Sequence, residues 1–256
     1  MPSTISQNRN RLWPRLGSVA LALLLWQGAA LALGQQILLP GPLSVAKHLL
    51  SLWSDGDTWL IVFFTFRRIV LGFFLALLTG SILGALAGRF PILELLLWPF
   101  AVTVKTVPVA SFIVICLIWL SADRLSIFIP FLMVLPVIYT NTLQCVREIP
   151  AELSECAAVF RMSTGRRLLY LWLPQLRPYL LSACGIGLGL AWKSGIAAEI
   201  IGIPAGSIGS MFYQAKIYFD TTELFAWTAT VVLVSVLFEK LFLALLRWIF
   251  GRVCRL

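Results

Sequence analysis

Twenty consecutive residues, Ile69 to Gly88 (IVLGFFLALLTGSILGALAG), carry no charged side chain. A helix needs roughly 20 mostly apolar residues to cross the hydrocarbon core of a bilayer, so this run reads as a membrane span. The composition agrees: of 256 residues 60% are hydrophobic and 12% charged, with a mean hydropathy of +0.93, far outside the range of a soluble domain of this length. The same criterion marks five further spans, at Leu16 to Leu33, about Leu95 to Leu120, Leu125 to Leu143, Tyr179 to Ile200 and about Leu224 to Leu246. These runs are too long, and alternate too little, for the roughly 10-residue strands of an outer-membrane barrel. The fold expected is an all-α membrane protein, a polytopic bundle of about six transmembrane helices over residues 16–246, with an arm at 1–15 and a tail at 247–256.

Six spans put both termini on one side of the membrane, and the placement of Lys and Arg, rather than the net charge of +9, says which. With the termini inside, the cytoplasmic segments hold Arg9, Arg11, Arg15, Arg89, Arg147, Arg161, Arg166, Arg167, Arg177, Arg247, Arg252 and Arg255. The outer segments hold Lys47, Arg124 and Lys216, beside Asp55, Asp57, Asp123, Asp220 and Glu223. Both termini are therefore expected in the cytoplasm. Basic residues dispersed at span ends face lipid headgroups, so the high pI implies no nucleic-acid partner. The N-terminal arginines followed by a run ending in AALALG also fit a cleavable signal peptide, but the run is longer than a usual signal core and no secreted domain follows.

The chain offers little chemistry. Cys116, Cys145, Cys156, Cys184 and Cys254 are odd in number and lack C-x-x-C spacing, so neither a disulfide framework nor zinc is implied. The lone histidine, His48, reads as an interfacial side chain rather than a metal ligand. No H-E-x-x-H, G-x-S-x-G or G-x-x-x-x-G-K-[ST] occurs. No catalytic residue, metal ligand or cofactor is expected, and no machinery for hydrolysing ATP. A transport subunit is the reading that remains, with a self-sufficient secondary carrier or channel, or a membrane-embedded enzyme, as rivals.

One stretch between spans is crowded with charge. In the segment 147–177, Pro150 suits the first turn of a helix, and Glu152 and Glu155 suit its positive end. Leu153, Cys156, Ala157 and Phe160 then fall at i, i+3, i+4 and i+7, one apolar face of a short amphipathic helix. Ser163 fits the N-cap of a second short helix running through LLYLWL to a stop before Pro174. A helix of about three turns is marginal alone in water, so its face must dock either on the bundle's own ends or on a separate protein.

The segment resembles the cytoplasmic signature loop of bacterial ABC importer permeases, E-A-A-x-x-x-G, then nine residues, a hydrophobic residue and x-L-P, in the branch that includes nitrate, sulfonate, taurine and bicarbonate permeases. Aligned on Leu173 and Pro174, Glu155 takes the acidic position, Cys156 and Ala157 the two alanines, Leu171 the hydrophobic position and Arg161 the glycine. The glycine is missing, and Gly165 comes four residues too late to replace it. Because a left-handed non-glycine residue is strained, the helix is expected to continue through Arg161, with the turn displaced to Met162 or Ser163 and Gly165 inside the second helix. The resemblance extends to TFRRIVLGF, which places Arg68 and Gly72, to VKTVPVA, which places Lys105 and Pro108, and to LAWKSGIAAEIIG with the following GSIG, which places Ala198 and Glu199. After Pro108 the similarity weakens. It implies a permease in a bacterial inner membrane that pairs with a second permease copy, docks its coupling loop on cytoplasmic ATP-binding-cassette ATPases and receives solute from an extracytoplasmic substrate-binding protein.

Charges within spans are costly, at least about 2.5 to 3.5 kcal/mol each, and mark candidate function. Lys105 and Lys193 are such charges, and with Pro108 and Glu199 they form the candidate translocation path. Lys105, between Pro99 and Pro108, faces either an anionic solute or protein. Lys193 reads equally as a snorkelling or inter-span residue. It lies six residues before Glu199, about 240° round the helix, so each needs another partner, and Glu199 is expected near the outer end in reach of water. Gly185, Gly187, Gly189 and Ala191 permit close helix packing or, alternatively, line a path.

Overall fold

The computed structural model describes residues 12–35 and 37–253, with Leu12, Trp13, Arg15, Leu16, Ala151, Ser154, Cys156, Ala158, Thr164, Leu168, Leu169 and Val253 described by their backbone alone; Arg9, Arg11, Cys254 and Arg255 lie outside the described residues. Every regular element among these residues is helical. The chain divides into two units, one formed by the described residues up to Trp59 with Met211–Val231, the other by Leu60–Ser210 with the described residues from Val232 on.

In the first unit, α1 (Leu12–Leu33) is followed by α2 (Pro42–Ser54), which starts with proline at a position where no backbone donor is needed. Tryptophans tie the unit together by their indole donors: Trp26 Nε1 donates to Pro40 O at 3.0 Å, and Trp53 Nε1 to Thr230 Oγ1 at 3.1 Å.

The second unit begins within α3 (Gly56–Arg89), whose 34 residues extend well past the expected span at Ile69 to Gly88. Next come α4 (Pro91–Thr106), α5 (Val109–Cys116) and α6 (Ala122–Arg147). After these lie α7 (Ala151–Val159), α8 (Thr164–Arg167), a π turn at Leu168–Trp172 and α9 (Leu173–Gly202). The helices α10 (Ile208–Ile217) and α11 (Thr221–Val253) complete the chain. Four helical stretches, α3, α6, Gly165–Gly202 and most of α11, are long and apolar enough to cross a membrane, and α4 with α5 makes a fifth if counted as one broken span. The remaining expected span, at Leu16 to Leu33, falls on α1, whose apolar part Gly17–Leu33 is shorter.

The expected span at about Leu95 to Leu120 is broken: α4 and α5 meet at a bend of 105°. Pro108 has no backbone N–H and excludes the helical region for the residue before it, and Val107 accordingly sits at φ −74°, ψ 134°.

At the centre stands α6, two thirds of whose best span window is buried against 6% for α11. It packs on α9: Leu125 and Ile129 share a buried cluster with Ala198, and Val134 and Ile138 lie against Gly187. Against α3 the approach is closer still, because small residues recur every fourth position there: Gly72, Ala76, Gly80, Gly84 and Gly88. A Cβ added at Gly72 would stand 2.4 Å from Ile127 O, at Gly84 2.7 Å from Thr142 Cβ and at Gly88 2.5 Å from Val146 Cγ1. The register rises together on both helices, so α3 and α6 run parallel. Of the glycines singled out on α9, Gly187 is tight, 3.1 Å from Val134 Cγ1, while Gly189 faces open space.

Candidate functional site

Two places gather the residues of interest, the α7–α8 loop and a buried polar cluster. The loop hangs from a clamp. Arg147 pairs with Glu94 of α4, and Glu148 accepts hydrogen bonds from Tyr179 Oη of α9 and from Gln144 Nε2 at 2.8 Å. The Tyr179 hydroxyl, and then the Gln144 amide, hold the Glu148 carboxyl below its ordinary range, so it stays ionised at the junction.

From that clamp α7 starts at Ala151, directly after Pro150, and ends at Val159. Arg161 then adopts φ +48°, the left-handed conformation, and Met162 N–H donates to Ala157 O at 3.0 Å. A left-handed residue followed by a six-to-one bond is a Schellman turn, with Arg161 standing where glycine usually stands. The expected continuation of the helix through Arg161 is therefore corrected. The reason is Arg167, whose Nε donates to Met162 O at 3.1 Å and whose Nη2 reaches Ala157 O at 3.4 Å. These charge-assisted bonds cap the open end of α7 and offset the roughly 1–2 kcal/mol that a left-handed L-residue costs.

Ser163 O accepts from Arg167 N at 2.9 Å, the first helical bond of α8, which puts Ser163 at the expected N-cap position. Gly165 lies inside that helix, without a left-handed φ and with open space where a Cβ would go, as expected. The expected stop before Pro174 does not occur. The chain passes through the π turn into α9 with Trp172 helical at φ −77°, ψ −45°. Pro174 cannot donate to a carbonyl one turn back, and a widened turn just before it accommodates the missing bond.

On α7 the expected apolar face splits. Ala157 is 2% exposed and faces inward, whereas Leu153 is 41% and Phe160 74% exposed, joined by Val159 at 79%. Glu152 and Glu155 are exposed, and the side chain of Cys156 lies outside the described set. The surface available to a partner is thus Val159 and Phe160 with Leu153. Ala157 belongs to the loop's own packing.

The polar cluster joins α3, α6, α9 and the start of α10. Glu199, fully buried, accepts from Thr65 Oγ1 at 2.8 Å and from Gly209 N–H at 3.3 Å through the same oxygen. Its other oxygen faces Arg68 Nη1 at 3.8 Å, too far for a hydrogen bond. Arg68, 4% exposed, is paired with Asp123 at the start of α6 and stacks on the Phe64 ring at 3.8 Å. The expectation that water reaches Glu199 is corrected, and its missing partners are Thr65, Gly209 and Arg68. Gly209 lies so close that a Cβ there would meet Glu199 Cβ at 2.3 Å. Sequence reading placed Arg68, Glu199 and the GSIG turn; it gave no role to Thr65, which heads the TFRRIVLGF motif, and took Asp123 only as an outer-segment charge.

The two motif-bearing regions invite comparison with known proteins. Residues 59–254 match the family described as binding-protein-dependent transport system inner membrane component. The chain belongs to this family of ABC transporter permeases. A probable ABC transporter permease of Brucella melitensis is 27% identical over 80% of this chain and 83% of its own length. The nitrate import permease of Synechococcus elongatus is 28% identical over 79% and 76%, and the taurine transport system permease of Escherichia coli 27% over 88% and 84%.

In this permease the remaining candidates stand apart from both gatherings. Lys105 ends α4 with Nζ 3.4 Å from Thr140 Oγ1 of α6, and Pro108 is the N-cap of α5 at the bend. Lys193 lies exposed on α9, with no ion-pair partner among the described residues. Lys105 and Lys193 are both exposed, unlike Glu199.

Proposed function

We propose that this permease is the membrane subunit of an ATP-driven importer, both termini cytoplasmic, working as a pair of copies by alternating access. Its cargo is a small solute, either a sulfonate- or nitrate-like anion, as the names of its relatives suggest, or a vitamin precursor. Partner ATPases of the ATP-binding-cassette type receive the α7–α8 loop, and an extracytoplasmic binding protein delivers the solute. The observation that carries the reading is α7 itself. A helix of only nine residues is clamped at one end by Arg147 and Glu148 and capped at the other by Arg167, so that it moves with α6 and α9 while exposing Val159 and Phe160. Lys105 and Lys193, exposed cations on span helices, are the residues proposed to meet an anionic solute.

The test is affinity purification of the full chain from its native membrane. An ATP-binding-cassette ATPase among the partners supports the proposal. Gradient-driven flux by the purified chain alone, with no ATPase recovered, makes it a secondary carrier instead.

A further inference from the structure

Parallel packing of α3 and α6 brings their arginines level at one end of a groove. The groove has a volume of about 660 Å³, with Arg67 and Arg68 on one wall and Asp123 and Arg124 on the other. Arg68 is spent on Asp123. Arg67 and Arg124 are exposed and have no ion-pair partner among the described residues. Both helices then run away from these charges in the same direction, presenting Leu71 and Phe74 on α3 and Ile127 on α6. An adjoining hollow of about 380 Å³, reached past Arg124 and Ile127, continues between Leu75 and Thr79 on one side and Phe128 and Phe131 on the other. From Phe63 to Thr79 the wall is about 24 Å long, more than the roughly 15 Å that one leaflet contributes to the hydrocarbon core.

We propose that this groove binds one anionic glycerophospholipid, its phosphate between Arg67 and Arg124 and an acyl chain laid along Leu71, Phe74 and Ile127. Complementarity decides the occupant. Two exposed guanidinium groups with no ion-pair partner among the described residues favour a partner with negative charge, and the apolar path leading from them favours one that is a hydrocarbon over most of its length.

Native mass spectrometry of the full-length chain in detergent, titrated with phosphatidylglycerol or phosphatidylcholine, tests the proposal. The wild type should bind phosphatidylglycerol in preference to phosphatidylcholine. In Arg67→Gln/Arg124→Gln that preference should vanish, with affinity for phosphatidylglycerol down about 30-fold, the effect of two basic groups at a membrane surface. Leu71→Trp approaches from the other direction, filling the apolar path with both arginines in place, and should also lose bound lipid. Equal binding of the two lipids by the wild type, or undiminished phosphatidylglycerol binding in both variants, overturns it. So does a double variant that keeps its lipid but falls from paired to single copies, which would make the groove an interface between copies of the chain.

Discussion

Arg161 stands at φ +48° only because Arg167 holds the turn around it. Arg161→Gly should therefore relieve strain and raise the thermal stability of the loop by about 1 kcal/mol, with coupling to ATP hydrolysis intact. Arg167→Ala should do the reverse, removing the donor of the Met162 carbonyl and leaving Ala157 O with the Met162 N–H alone, and loosening α7 by roughly 0.5–1.5 kcal/mol. Limited proteolysis at the loop, compared across the two variants and the wild type, checks both signs. Glu199 calls for a different test, because it lies inside the fold. Glu199→Leu removes the acceptor of Thr65 and Gly209 and one of the two carboxylates facing Arg68. Arg68 keeps its pair with Asp123, so the loss is that of a buried acceptor for the Thr65 hydroxyl and the Gly209 N–H, about 1–3 kcal/mol. The variant should unfold at clearly lower temperature in detergent, and a wild-type melting point would remove the cluster from the account of stability.

Among elements, the α3 stripe makes the most specific demand. Gly84→Leu places a side chain where even a Cβ would come within 2.7 Å of Thr142 and of Tyr139 O, so the variant should insert poorly or lose about 1–3 kcal/mol of stability and melt at lower temperature. Gly165→Ala, in open space on α8, should be neutral or slightly stabilising. Thermal melting of the two variants in the same detergent separates them. The apolar runs that became α3, α6, α9 and α11 were legible in the chain, because membrane burial leaves its mark on every residue of a span; the stripe Gly72, Ala76, Gly80, Gly84 and Gly88 stands out only once α6 is seen against it. The bend between α4 and α5 was less legible: Leu95 to Leu120 is mostly apolar on both sides of Pro108, and hydropathy does not register direction. Glu199 looked solvent-reaching because its partner Thr65 lies 134 positions away, and no local pattern reports a long-range hydrogen bond. Arg161 was misread for a related reason. The strain of a left-handed arginine was apparent from its type, but the cap that offsets it comes from the side chain of Arg167, whose direction depends on how α8 starts.

At the scale of the whole molecule, the proposed importer takes its motion from a partner ATPase, and the clamped, capped α7 is the part proposed to receive it. Ala157, turned inward, is a poor probe of that contact, since a charge there would break the loop before it touched a partner. Phe160, 74% exposed, is the better one. Aromatic anchors at interfaces typically contribute 2 kcal/mol or more, about 30-fold or more in affinity. The most direct measurement is the amount of ATP-binding-cassette ATPase recovered with the tagged chain from native membranes, wild type against Phe160→Asp, at matched levels of inserted permease. A loss of 30-fold or more in the variant is the expected result; recovery equal to that of the wild type, or no ATPase with either chain, would contradict the coupling role of the loop.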